Sequence, residues 1–81
     1  MNILFSERAT RDYKNLPKIL QKTADKQFDF LLNDLRHPSL HAKKYEEARG
    51  IWQARINQSW RFYFQINGGV YNIVTIIKHS K

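Results

Sequence analysis

The sequence predicts a small α+β domain, in which two helices pack on one face of an antiparallel sheet with the element order β-α-α-β-β-β. Three observations predict it. Two helical stripes come early, two stretches after residue 50 alternate large apolar with polar residues, and Asn67-Gly68-Gly69 separates the second from an apolar C-terminal segment. The chain has 81 residues, which suffices for one core, and residues 1–81 are read as a single domain.

The stretch "NILFS" is a short apolar strand, and Ser6 is the expected N-cap of the helix that follows, with Glu7 well placed in its first turn. That helix carries Ala9, Tyr13 and Leu16 on one side. Pro17 suits the start of a second helix, in which Leu20, Ala24, Phe28, Leu31 and Leu35 recur at helical spacing and form a core stripe. The charged residues between them mix signs and read as a solvated face. Pro38 after His37 ends the helix, and "HPSLHAKKYEEARG" is predicted to be a connecting loop closed by Gly50. In "IWQARIN", Trp52, Ala54 and Ile56 alternate with Gln53, Arg55 and Asn57; "WRFYFQI" repeats the pattern. Asn-Gly-Gly is a hairpin signal, and "VYNIVTII" is apolar on both sides, as in a strand with two neighbours. The last three strands form a meander, with the first strand added at an edge.

Charge gives the first functional clue. Lys and Arg number 14 against 7 acidic residues, for a net charge of +7, a balance that favours polyanionic partners. The excess is uneven: residues 1–36 hold seven bases and five acids, whereas residues 37–81 hold seven bases, two acids and all three histidines. If Trp52, Ala54, Ile56, Trp60, Phe62 and Phe64 face the helices, pleating gathers Gln53, Arg55, Arg61 and Tyr63 on the opposite face. A guanidinium can grip a phosphate bidentately, and a neighbouring aromatic ring can stack on an unpaired base, so this face suits contact with single-stranded RNA; the pattern alone equally fits Arg61 and Tyr63 as ordinary exposed strand residues.

Several chemistries are excluded. The sequence has no cysteine, hence neither disulfides nor thiolate ligands. His37 and His41 flank a proline-containing turn with no acidic residue to complete a metal site, and no metal or other cofactor is expected. The glycines form no phosphate loop or dinucleotide fingerprint, and the serines lack a nucleophile elbow. With no long apolar run and no signal-like start, the chain is expected to be an unprocessed soluble protein of the cytoplasm, without a membrane partner.

The element order, "HPSLHAKKY", "IWQARINQSWRFYFQI" and "IVTIIKHSK" together resemble the RelE/ParE superfamily of bacterial toxins from type II toxin-antitoxin systems, over essentially the whole chain. The resemblance implies a toxin neutralised by a cognate antitoxin. RelE-like and YoeB-like members cut messenger RNA on the ribosome without a metal, whereas ParE-like members block DNA gyrase. The nuclease branch is favoured here; the alternatives are a gyrase inhibitor and an inactive relative that only binds its antitoxin.

For the nuclease branch the 2'-hydroxyl attacks the adjacent phosphate, which requires a base, an acid for the leaving 5'-oxygen and positive charge at the transition state. The resemblance puts Arg61 first for that charge, Arg55 beside it, and His79, an imidazole suited to proton transfer near neutrality, as the third catalytic residue. Tyr63, Gln53 and Lys78 are expected to contact RNA, and Lys43 and Lys44, with His41, to form a phosphate-binding loop. The YoeB-like pattern has a Glu from the loop before the paired strands and a Tyr directly after the terminal His. Here Ser80 follows His79, and Glu46 and Glu47 stand only near the loop position. The identity of the base stays open.

Overall fold

The computed structural model describes residues 1–79. The elements are β1 (Asn2–Phe5), α1 (Glu7–Lys14), α2 (Lys18–Asn33), a 3-10 turn at Pro38–Leu40, β2 (Lys43–Glu46), β3 (Ile51–Arg55), β4 (Trp60–Asn67) and β5 (Val70–Lys78). They build one sheet of five strands in the order β1-β5-β4-β3-β2. The pairs from β2 to β5 are antiparallel, and β1 runs parallel to β5, so the sheet is mixed.

The α+β architecture, the meander and the edge position of β1 follow the sequence pattern. Two features depart from it. The pattern predicts an antiparallel sheet, but β1 runs parallel to β5, which the helical crossover following β1 permits. The other departure is a strand. Lys43–Glu46, expected as loop, pairs with β3 as an edge strand. Its sequence, KKYE, lacks the apolar alternation of an inner strand, and charge is what a sheet edge carries to discourage further pairing.

Ser6 caps α1 as expected: its Oγ accepts the Ala9 N–H at 3.0 Å. The same hydroxyl donates to the carbonyl of Val74 at 2.8 Å, where β5 carries one extra residue between the partners of Tyr63 and Phe64. Beyond that bulge β1 has ended, and α1 takes over the β5 edge. The Asp12 carboxylate accepts the Ile76 N–H at 3.0 Å and the Thr75 hydroxyl at 2.7 Å. An otherwise unpaired strand edge is thereby satisfied by a helix. At the other end of β4, Gly68 and Gly69 both have positive φ (52° and 80°), which a two-residue hairpin of the primed type requires.

The core lies between α2 and the sheet. Phe62, Phe64, Leu31, Leu40 and Ile73 are fully buried, and Phe28 meets Phe62 edge-to-face at 5.0 Å between ring centroids. Each such side chain contributes about 2 kcal/mol through burial. With the apolar half of β3 and β4 committed to that core, the polar half stands on the opposite face.

Candidate functional site

The site is built around the turn from β3 to β4. Asn57 Oδ1 accepts the N–H groups of Ser59 at 2.8 Å and Trp60 at 2.9 Å, an Asx-type turn that fixes the entry into β4. Arg61 then folds back beneath the turn. Its Nη1 donates to the carbonyls of Asn57 (2.8 Å), Gln58 (2.9 Å) and Trp60 (3.2 Å), and the residue is 7% exposed. Burial, and then the neighbouring charge of Arg55, lower the Arg61 pKa, while the guanidinium remains a cation at neutral pH.

Arg55 is the direct cross-strand partner of Arg61. The C-terminal end of β5 closes the third side, because the His79 N–H donates to the Ser59 carbonyl at 2.6 Å. Arg55, Arg61 and His79 together line a depression of about 500 Å³ with Gln58 and Ser59, and an adjoining one of about 380 Å³ with His41, Ala42, Lys43 and Gln53. Among the described residues no carboxylate lines either one. A cleft with two guanidinium groups, an ammonium and two imidazoles can bind an anion, stabilise added negative charge and move protons without a metal. Among the described residues no group of His, Asp or Glu is arranged to hold a metal ion.

Arg55, Arg61, His79, Lys43 and Gln53 thus come together in one cleft. Three expected site residues take other positions. Lys44 lies over the Trp52 ring, 5.1 Å from its centroid and outside the cleft, because adjacent residues of β2 point to opposite faces. Lys78 pairs with Trp60 and does not line the cleft, for the same reason of alternation next to Ile77, the partner of Arg61. Tyr63 is on the expected face but is not an open stacking platform. It is 9% exposed, its hydroxyl accepts from Gln53 Nε2 at 2.8 Å, and its ring meets Tyr45 edge-to-face at 5.0 Å.

The exposed ring is Tyr45, at 60%. Its signal lay in the alternation of Lys43 and Tyr45 within a segment whose charges read as loop. Gln58 and Ser59 also line the cleft, placed there by the Asx turn rather than by any chemical motif. Glu46 is held by Arg49 through two hydrogen bonds, one of 3.0 Å between Arg49 Nη2 and Glu46 Oε2, and it borders Tyr45 and Ile51 away from the cleft. That guanidinium lowers the Glu46 pKa. Ser80, which follows His79, lies outside the described residues.

Solved structures share this fold across nearly the whole chain. A YoeB/ParE toxin from Agrobacterium tumefaciens superposes with a TM-score of 0.82 at 13% identity, covering 99% of this chain and 100% of its own. The YoeB dimer of Staphylococcus aureus gives 0.79 at 21% identity, with 100% and 98% covered. The toxin in the intact Escherichia coli RelBE toxin-antitoxin complex gives 0.76 at 17% identity, with 98% and 96% covered. No curated protein matches the sequence significantly. The family model described as the ParE toxin of type II toxin-antitoxin system, parDE, matches residues 3–81, and the chain therefore belongs to that toxin family, within the RelE/ParE superfamily.

Proposed function

We propose that this toxin is a metal-independent endoribonuclease that cuts messenger RNA on the ribosome and so inhibits translation. The observation that carries the proposal is the directly paired Arg55 and Arg61 beside His79, in a cleft that no carboxylate lines among the described residues. The three carbonyl bonds that hold the Arg61 guanidinium fix it in place, and a fixed positive charge is suited to a dianionic phosphorane.

In this mechanism Arg61 and Arg55 hold the scissile phosphate. The 2'-hydroxyl loses its proton to an imidazole, its oxygen bonds to phosphorus, and the bond to the 5'-oxygen breaks as that oxygen takes a proton from a cationic donor. The products are a 2',3'-cyclic phosphate and a 5'-hydroxyl. His79 is offered as the base, and His41 and Lys43 across the cleft as acid and additional charge. The proposed antagonist is a cognate antitoxin with an acidic segment that orders over the cleft, in the cytoplasm.

The family description names a ParE toxin, which leaves a second reading in play, the gyrase inhibitor that the resemblance to ParE-like members implies. One experiment separates them: mapping of mRNA 5' ends in a bacterial translation extract, with and without ribosomes, for the native chain and Arg55→Ala. New ends that need ribosomes and vanish in the variant support the nuclease. Absence of new ends, with loss of gyrase supercoiling in a parallel reaction, supports the gyrase reading and overturns the nuclease.

A further inference from the structure

A third depression, of about 380 Å³, opens between α2 and the β3–β4 turn. It is continuous with the cleft, sharing Arg55 and Gln58 with one part of it and Arg55 and His41 with the other. Its outer wall is α2, which contributes Thr23 and Lys26. Lys26 is exposed, and among the described residues no carboxylate lies within 4.0 Å of its ammonium.

The floor is rigid. Gln27 is 3% exposed; its Nε2 donates to the carbonyls of Ser39 (3.2 Å) and Arg55 (2.9 Å), and its Oε1 accepts from the Ser39 hydroxyl (3.3 Å). This buried amide ties β3, the 3-10 turn and α2 together, and so holds the backbone of Arg55 at a set spacing from the α2 turn that carries Lys26. The remaining wall is made of the polar side chains of Asn57 and Gln58, and Ile56, the one large apolar residue, is 3% exposed. A protein segment docking here would find no apolar anchor, whereas a sugar-phosphate chain would find a cation and hydrogen-bonding groups along a basic groove.

We propose that this α2 arm of the groove is a second phosphate subsite, which takes the neighbouring nucleotide of the single-stranded RNA whose scissile phosphate sits at Arg55 and Arg61, with Lys26 as its cation. The proposal rests on the nuclease reading and extends it from one phosphate to a strand direction: out of the cleft, past the β3–β4 turn and along α2.

The test uses the full chain and 2'-O-methyl RNA oligonucleotides of two, four and six nucleotides, whose blocked nucleophile prevents cleavage. Affinity is followed by fluorescence anisotropy across a salt series for the native chain, Lys26→Gln and Arg55→Gln. For the hexamer, Lys26→Gln is expected to lower affinity by about fivefold and to reduce the slope of log affinity against log salt by about 0.7, the loss of one phosphate contact. Dinucleotide affinity stays unchanged, and Arg55→Gln weakens every length.

If Arg55→Gln weakens binding while Lys26→Gln leaves hexamer affinity and slope alone, the subsite is overturned and the cleft stands. A native chain that binds none of the oligonucleotides overturns both. Loss of polyglutamate binding in Lys26→Gln, with RNA binding intact, gives the arm to an acidic polypeptide and also overturns the subsite.

Discussion

Arg55 and Arg61 are cross-strand partners whose like charges share one face of the sheet, and the second of them is buried under a turn whose carbonyls it holds. The two arginines therefore differ in what their removal does. Arg61 ties the turn together; Arg55 makes no ion pair among the described residues, and its repulsion adds to the larger effect of burial in lowering the Arg61 pKa.

Arg55→Gln relieves that repulsion. Its urea unfolding free energy is expected to rise by about 0.5 kcal/mol at low salt, with the gain fading in 1 M salt, while on the proposed nuclease reading RNA cleavage falls by about 100-fold. Arg61→Lys behaves differently, since an ammonium cannot reproduce the fork. It loses about 1 to 2 kcal/mol of stability together with activity, so Arg55 is the cleaner probe of chemistry.

Tyr45 and Tyr63 touch edge-to-face, but only Tyr45 is open. Tyr45→Ala is expected to lower the unfolding free energy by only about 0.5 kcal/mol, through the lost edge contact to Tyr63, and on the proposed nuclease reading to weaken single-stranded RNA binding by about 1 to 3 kcal/mol, the worth of one stacked base. Tyr63→Phe has the opposite profile: it removes the acceptor for Gln53 Nε2 and lowers stability by about 1 kcal/mol with little change in affinity. Parallel binding titrations and urea melts distinguish the two.

Asp12 anchors α1 to β5 through the Ile76 N–H and the Thr75 hydroxyl. Asp12→Ala is expected to lower the unfolding free energy by about 2 kcal/mol, and Asp12→Asn by less, because an amide oxygen can still accept. In hydrogen exchange the Ile76 amide should lose its protection in the Ala variant.

Burial, and then the charge of Asp34, raise the pKa of Tyr71; the hydrogen bond to Asp25 (2.7 Å), then burial, do the same for Tyr13. A phenol whose pKa is higher folded than unfolded contributes stability that is full below about pH 10 and is lost as pH rises through the folded value. Thermal midpoints should therefore fall steeply above pH 10. Tyr71→Phe, which cannot ionise, should show a shallower alkaline decline.

The shared face of Gln53, Arg55, Arg61 and Tyr63 was legible in the sequence because a half-buried strand announces its faces by alternation. How deeply a residue on that face is covered was not legible, since the cover comes from elsewhere. Arg61 is covered by the turn before it and Tyr63 by Tyr45 of β2. That strand was itself hidden, because an edge strand written KKYE has the composition of a loop. Alternation also separates Lys43 from Lys44, but only once the segment is known to be extended.

The parallel pairing of β1 with β5 joins Asn2 to Val70 and Phe5 to Ile73, so β1 waits for β5. The cleft has the same timing, since its walls run from His41 to His79. During synthesis neither this sheet edge nor the cleft can be completed until β5 has emerged, a consequence of pairing between strands about 70 residues apart. A domain so wired has no partly built version of its basic groove, which assembles only together with the sheet.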